Sequence, residues 1–172
     1  MDVWTEADAS GAFTYEVAAE GGSGYIRKRV FRAALDAEQK MWRDGDPQRA
    51  DLNASNYVFQ DHGAAEGLAS LAITPRRKDV LLIDGWVFVK QEDGDLVRIE
   101  GRLSKNPSFW TRRVEIVRRY ERLAGVRVPT EVESVARILI AGHSTFRMTY
   151  EYATINDQHV GDPQPRTQGP KP

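Results

Sequence analysis

The sequence predicts a mainly β protein of the α+β class: a large, strongly curved antiparallel sheet with one helix laid across its concave face. Three observations carry this. Many short runs alternate apolar and polar residues with period two, one stretch has sustained helical spacing, and the connections are too short for parallel crossovers. The organising stretch is 79–104, DVLLIDGWVFVKQEDGDLVRIEGRLS. It reads as three short strands joined by Gly85 and by an Asp93-Gly94 turn, because Asp-Gly supplies the positive φ angles of a tight hairpin. In Leu96 to Leu103, Val97, Ile99 and Leu103 alternate with Arg98, Glu100 and Arg102. Val80 to Val89 is apolar on both sides, with Val80, Leu82, Trp86 and Phe88 on one and Leu81, Ile83, Val87 and Val89 on the other. A sheet with such strands needs a cover for its second face, either a helix or a ligand.

The other elements follow in order. Phe13 to Glu20 alternates Phe13, Tyr15 and Val17 with polar partners, a first strand ended by Gly21-Gly22. Ser23 then caps a helix from Tyr25 to Asp44, whose Ile26, Val30, Phe31, Ala34, Leu35 and Met41 recur three and four residues apart. Lys40 and Arg43 in its last turn, then Gly45 and Pro47, are stop signals. Asn56 to Gln60, Leu68 to Thr74 and Val114 to Leu123 read as strands. Ala124-Gly125 turns into Val126 to Val128, where Pro129 demands an edge or a bulge. Glu131 to Ile140 continues the apolar pattern. Phe146, Met148, Tyr150 and Tyr152 alternate with Arg147, Thr149 and Glu151 in the cleanest period-two run of the chain. Pro163, Pro165, Pro170 and Pro172 crowd the end without an apolar run, so 157–172 reads as a disordered tail after a single domain over 1–156.

With 24 basic and 25 acidic residues the net charge is -1, which disfavours a nucleic-acid partner. There is no cysteine, hence no disulfide, thiolate nucleophile or Cys-ligated metal. No apolar run is long enough to span a bilayer, so the chain is expected not to cross a membrane. The first residues, MDVWTEADASG, lack the basic and apolar regions of a signal peptide.

No motif assembles a reaction. His62, His143 and His159 have no metal-ligand spacing, and no metal or cofactor is expected. Ser144 lies in GHST, which is not a nucleophile elbow. Asp84, Glu92, Asp93 and Asp95 read as turn formers rather than calcium ligands. Gly21 to Gly24 lacks the spacing and lysine of a phosphate loop. The doublets Arg112-Arg113 and Arg118-Arg119, on strands, place only one charge on each face. The chain is accordingly expected not to be an enzyme. Trp86, Phe88, Leu103, Trp110, Tyr120, Phe146, Met148 and Tyr150 either fill a core or line an apolar cavity, with the helix and its Ile26, Val30, Phe31 and Leu35 as lid.

The stretches NYVF at 56–59, ITPRRKDVLLIDGWVFV at 73–89, GDLVRIEGRLSKNPSFWTRRVEIVRRYERLAGVRVP at 94–129 and STFRMTYEY at 144–152 resemble the bacterial outer-membrane lipoprotein carriers of the LolA and LolB type. That resemblance implies an incomplete β-barrel, lidded by helices, whose apolar cavity shelters acyl chains. It further implies a non-enzymatic carrier or sensor of a lipid, a lipoprotein acyl chain or a similar amphiphile, exported to the periplasm or cell envelope. The alternative is an envelope interaction module with a packed core and a protein partner. A cytoplasmic location is the alternative to export.

Overall fold

The computed structural model describes residues 2–7, 13–19, 47–107, 109, 111–139 and 142–161. The chain divides into two compact units, Met1–Asp51 and Leu52–Pro172. In the first, β1 (Asp2–Ala7) pairs antiparallel with β2 (Phe13–Ala19), and Pro47–Ala50 forms a 3-10 turn. The strand expected from Phe13 is therefore present, and the N-terminal segment, which lacks a strand signature, is its partner. The helix predicted over Tyr25 to Asp44 lies outside the described residues, together with Ile26, Val30, Phe31 and Leu35. Among the described residues there is no α-helix, so the predicted helical cover of the sheet gains no support.

The second unit is a meander of seven antiparallel strands in sequence order, and the sheet does not close into a barrel. The strands are β3 (Tyr57–Ala65), β4 (Leu68–Pro75), β5 (Ile83–Lys90), β6 (Leu96–Leu103), β7 (Thr111–Leu123), β8 (Val126–Ile138) and β9 (Gly142–Thr149). A two-strand ribbon, β10 (Thr154–Ile155) and β11 (Gln158–His159), follows, so the start of the expected tail is ordered as a hairpin. Two-residue turns explain why neighbours in sequence become neighbours in the sheet. Glu66-Gly67 and Ala124-Gly125 all have positive φ, at 53° and 79° and at 47° and 78°. That conformation matches the twist of the flanking strands.

Three local expectations are corrected. The β5–β6 connection is a five-residue loop, Gln91 to Asp95, rather than a two-residue Asp-Gly turn. Asp93 Oδ1 accepts from the Asp95 amide at 2.9 Å, and the Gly94 amide donates to the Lys90 carbonyl at 2.9 Å. The aspartate thus closes a turn of its own ahead of the hairpin register. Gly85 joins no strands but lies inside β5, opposite Gly101. A Cβ on Gly85 would come within 2.1 Å of the Glu100 carbonyl oxygen, and one on Gly101 within 2.4 Å of that of Asp84. Only paired glycines allow the two strands this approach. Finally, Val80 to Leu82 is not strand. Asp79 is buried, and its carboxylate and carbonyl accept from the amides of Leu81 and Leu82, which turns the chain before β5 begins. Pro129 lies where the β7–β8 register shifts, the expected bulge.

Because opposed residues of an antiparallel pair share a face, the registers assign every side chain of the sheet. One row runs Asp61, Leu71, Val87, Ile99, Arg118, Val132, Met148 across all seven strands. The next runs Phe59, Ile73, Gly85, Gly101, Ile116, Ser134, Phe146. These rows hold the core, in which Tyr57, Ile73, Leu82, Ile83, Val87, Ile99 and Ile116 are buried together. Burying one such side chain contributes about 1.5–3 kcal/mol relative to leaving it exposed. The opposite face carries the rows Gln60, Ala72, Trp86, Glu100, Val117, Glu133, Arg147 and Ser70, Phe88, Arg98, Arg119, Glu131, Thr149.

Candidate functional site

The apolar face is sealed at its centre and opens toward both edges, with Phe59 on β3 37% exposed. At β4 to β6 it is sealed, with Ile73, Val87 and Ile99 at 1%, 2% and 7% exposure. Toward β9 it opens. Val132 and Tyr120 are only half-buried where they pack on the core, Met148 is half-buried, and Phe146 is exposed. Tyr150 follows β9, its amide donating to the Thr130 carbonyl at 3.0 Å. These residues form an accessible apolar strip along β7 to β9.

Five of the eight aromatic and apolar residues expected to line one cavity therefore fall on this face or its continuation: Leu103, Tyr120, Phe146, Met148 and Tyr150. Trp86 and Phe88 do not join them. Two positions of odd spacing from Val87 put them on the other face, where the His62 ring lies 4.6 Å from Trp86 and the Arg98 guanidinium 4.1 Å above Phe88. Trp110 lies outside the described residues.

The strip has a polar inner border. Arg118 is half-buried on the apolar face between Ile99 and Val132, and its Nε is shut off from water with no hydrogen-bond partner. The Tyr57 hydroxyl accepts from the Ile83 amide at 3.1 Å. Burial pushes the Tyr57 hydroxyl above its ordinary pKa, opposed by the Ile83 hydrogen bond and by the Arg118 charge. The Tyr152 hydroxyl donates to the Pro129 carbonyl at 2.7 Å, and burial raises its pKa well beyond the phenol range. Arg118 is the residue that sequence reasoning missed as an individual. Its signal is parity: it shares the phase of Val114, Ile116 and Tyr120, and so interrupts an apolar series rather than joining a basic cluster.

The other face pairs its charges in water. Arg102 meets Asp84 at 2.9 Å, Arg113 meets Glu115 at 2.8 Å, and Arg119 spans Glu131 at 2.7 Å and Glu133 at 3.0 Å. Arg147 also pairs with Glu131. An open groove of about 510 Å³ crosses this face, walled by Trp86, Asp84, Glu100, Arg102 and Glu115 over the backbone of Gly85 and Gly101. At the end of the sheet, buried Asp95 accepts from Arg122 at 2.8 Å and Arg127 at 2.6 Å. The Arg122 hydrogen bond, then that of Arg127, holds the Asp95 carboxyl far below the usual carboxylate range.

Nothing in these arrangements supplies a nucleophile with a base. Asp84 is engaged by Arg102, and His143 lies on β9, four strands away. Among the described residues no three acidic or histidine side chains converge as a metal site, and no helix is long and apolar enough to cross a membrane. No protein-family profile, curated protein or solved structure matches the chain.

Proposed function

We propose that the protein is a non-enzymatic binder or carrier of an amphiphile, whose apolar part lies on the strip formed by Tyr120, Val132, Phe146 and Met148. The observation that carries this reading is the change of burial along one continuous apolar face, sealed at Ile73 and Val87 and accessible at Met148 and Phe146. Apolar surface left accessible beside a core is a site for an apolar occupant, each buried methylene of which contributes about 0.8 kcal/mol.

The reading takes the sheet as an incomplete barrel with this face concave. The resemblance to outer-membrane lipoprotein carriers supports an acyl chain as the apolar part and the bacterial envelope as the location.

Displacement of a fluorescent fatty acid tests this reading, with Met148→Arg as the variant, since it puts a charge at the open end of the strip. The wild-type protein is expected to take up the probe and folded Met148→Arg to lose it. Equal uptake by both removes the strip as the site. No uptake by the wild type, with no lipid extracted from the purified protein, moves the assignment to a packed-core interaction module.

A further inference from the structure

The Arg118 guanidinium sits on the apolar face with its Nε buried and unpaired, whereas on the opposite face Asp84, Glu100, Glu115, Glu131 and Glu133 each have an arginine within 3.0 Å. A buried donor without an acceptor is costly, and a guanidinium withdrawn from water more so. The neighbours across the sheet offer no carboxylate. Ile99 and Val132 flank Arg118 in its row, Leu103 and Tyr120 lie along the same face, and Asp61 stands at the far edge of the row, where its Oδ1 accepts from the Gly63 amide at 2.8 Å. The Tyr57 hydroxyl feels the Arg118 charge, but a neutral phenol cannot neutralise it at ordinary pH.

We infer that Arg118 is the headgroup-recognition residue of the strip, which takes an amphiphile bearing one acidic group: a carboxylate or phosphate oxygen accepts from the guanidinium while the chain extends over Val132, Met148 and Phe146. The inference rests on the amphiphile-binding reading and adds the chemistry of the ligand. The register favours this geometry, since Arg118, Val132 and Met148 are consecutive members of one row, so a headgroup at Arg118 directs its chain outward to the open edge. Little water competes at a buried donor, and an ionised pair there is both stronger and less screened by salt than the exposed pairs of the other face.

Calorimetric titration with dodecanoate, dodecyl phosphate and dodecanol, on the wild type and on Arg118→Met, tests it. In the wild type at least one anion is expected to bind about 10-fold or more tightly than the alcohol, the range of a charge-assisted hydrogen bond. The anion with the larger gain identifies carboxylate or phosphate as the source. Arg118→Met is expected to bind all three alike, with dodecanol affinity within about 3-fold of wild type, and Arg118→Gln serves should the methionine variant fail to fold. Equal binding of acid and alcohol by the wild type, or an acid preference that survives in the variant, overturns the role of Arg118 while leaving the amphiphile reading standing. No binding of any of the three overturns both.

Discussion

The two faces of the seven-stranded sheet treat charge in opposite ways. On one, Arg102, Arg113, Arg119 and Arg147 each stand beside a carboxylate in contact with water, and even the buried Nε of Arg98, which makes no hydrogen bond, has the Glu100 carboxylate at 3.0 Å. On the other, Arg118 stands among apolar side chains with a buried, unpaired Nε. The physics assigns these very different weights. An exposed ion pair gains little because water screens it and two long side chains lose freedom, whereas an unpaired buried donor forfeits its hydration outright. Many ion pairs therefore mark a solvated surface, and a buried, unpaired donor among apolar side chains marks a place that wants a partner.

The contrast can be broken or sharpened in three ways. The largest effect belongs to the apolar face. Ile73→Ala removes a side chain that is 1% exposed in the middle of the sealed region, and a loss of about 2–5 kcal/mol is expected in urea unfolding. A loss below about 1 kcal/mol would mean that this face is not the core.

Next comes the exception to the rule that charges on this protein are cheap. Asp95 is buried but clamped, and Asp95→Asn is expected to lower the urea midpoint clearly at pH 7. Since hydrogen bonds from Arg122 and Arg127 depress its folded-state pKa below the unfolded value near 3.9, the clamp's contribution is whole above about pH 4 and is lost as the pH falls toward the folded value. Midpoints of wild type and variant should therefore approach one another in acid. A difference that stays constant from pH 7 to pH 2.5 would contradict an electrostatic clamp.

The smallest effect is on the charged face. Arg147→Ala breaks pairs with Glu131 and Glu133, yet Arg147 is 67% exposed. Arg119 also remains within 3.0 Å of both carboxylates. A change of less than about 1 kcal/mol is expected, fading further at high salt. A larger cost would show that this network, rather than the apolar face alone, holds the sheet together.

Much of the meander was legible in the chain. Period-two alternation located β6 at Leu96–Leu103, the turn ending at Gly67 placed the start of β4 at Leu68, and the Ala124-Gly125 pair placed the β7–β8 turn, because these signals act within a few residues. The loop at Gln91 to Asp95 and the corner at Asp79 were misread for the same reason turned around. Each depends on an aspartate side chain caught by a particular amide, a choice that composition leaves open. The split of β5 into two faces was also legible, but which face is core was not: Trp86 and Phe88 look more buried by composition than Val87, and they lie opposite it.

The sequence by itself determined that the second unit is an antiparallel meander, since strand periodicity and turn chemistry are local. Tertiary structure alone decided what each face meets. It placed Gly85 against Gly101, closed Asp95 under Arg122 and Arg127 from another hairpin, and left the Arg118 Nε without an acceptor among apolar neighbours. Those outcomes depend on register and burial across strands distant in the chain, and a one-residue slip would reverse every one of them.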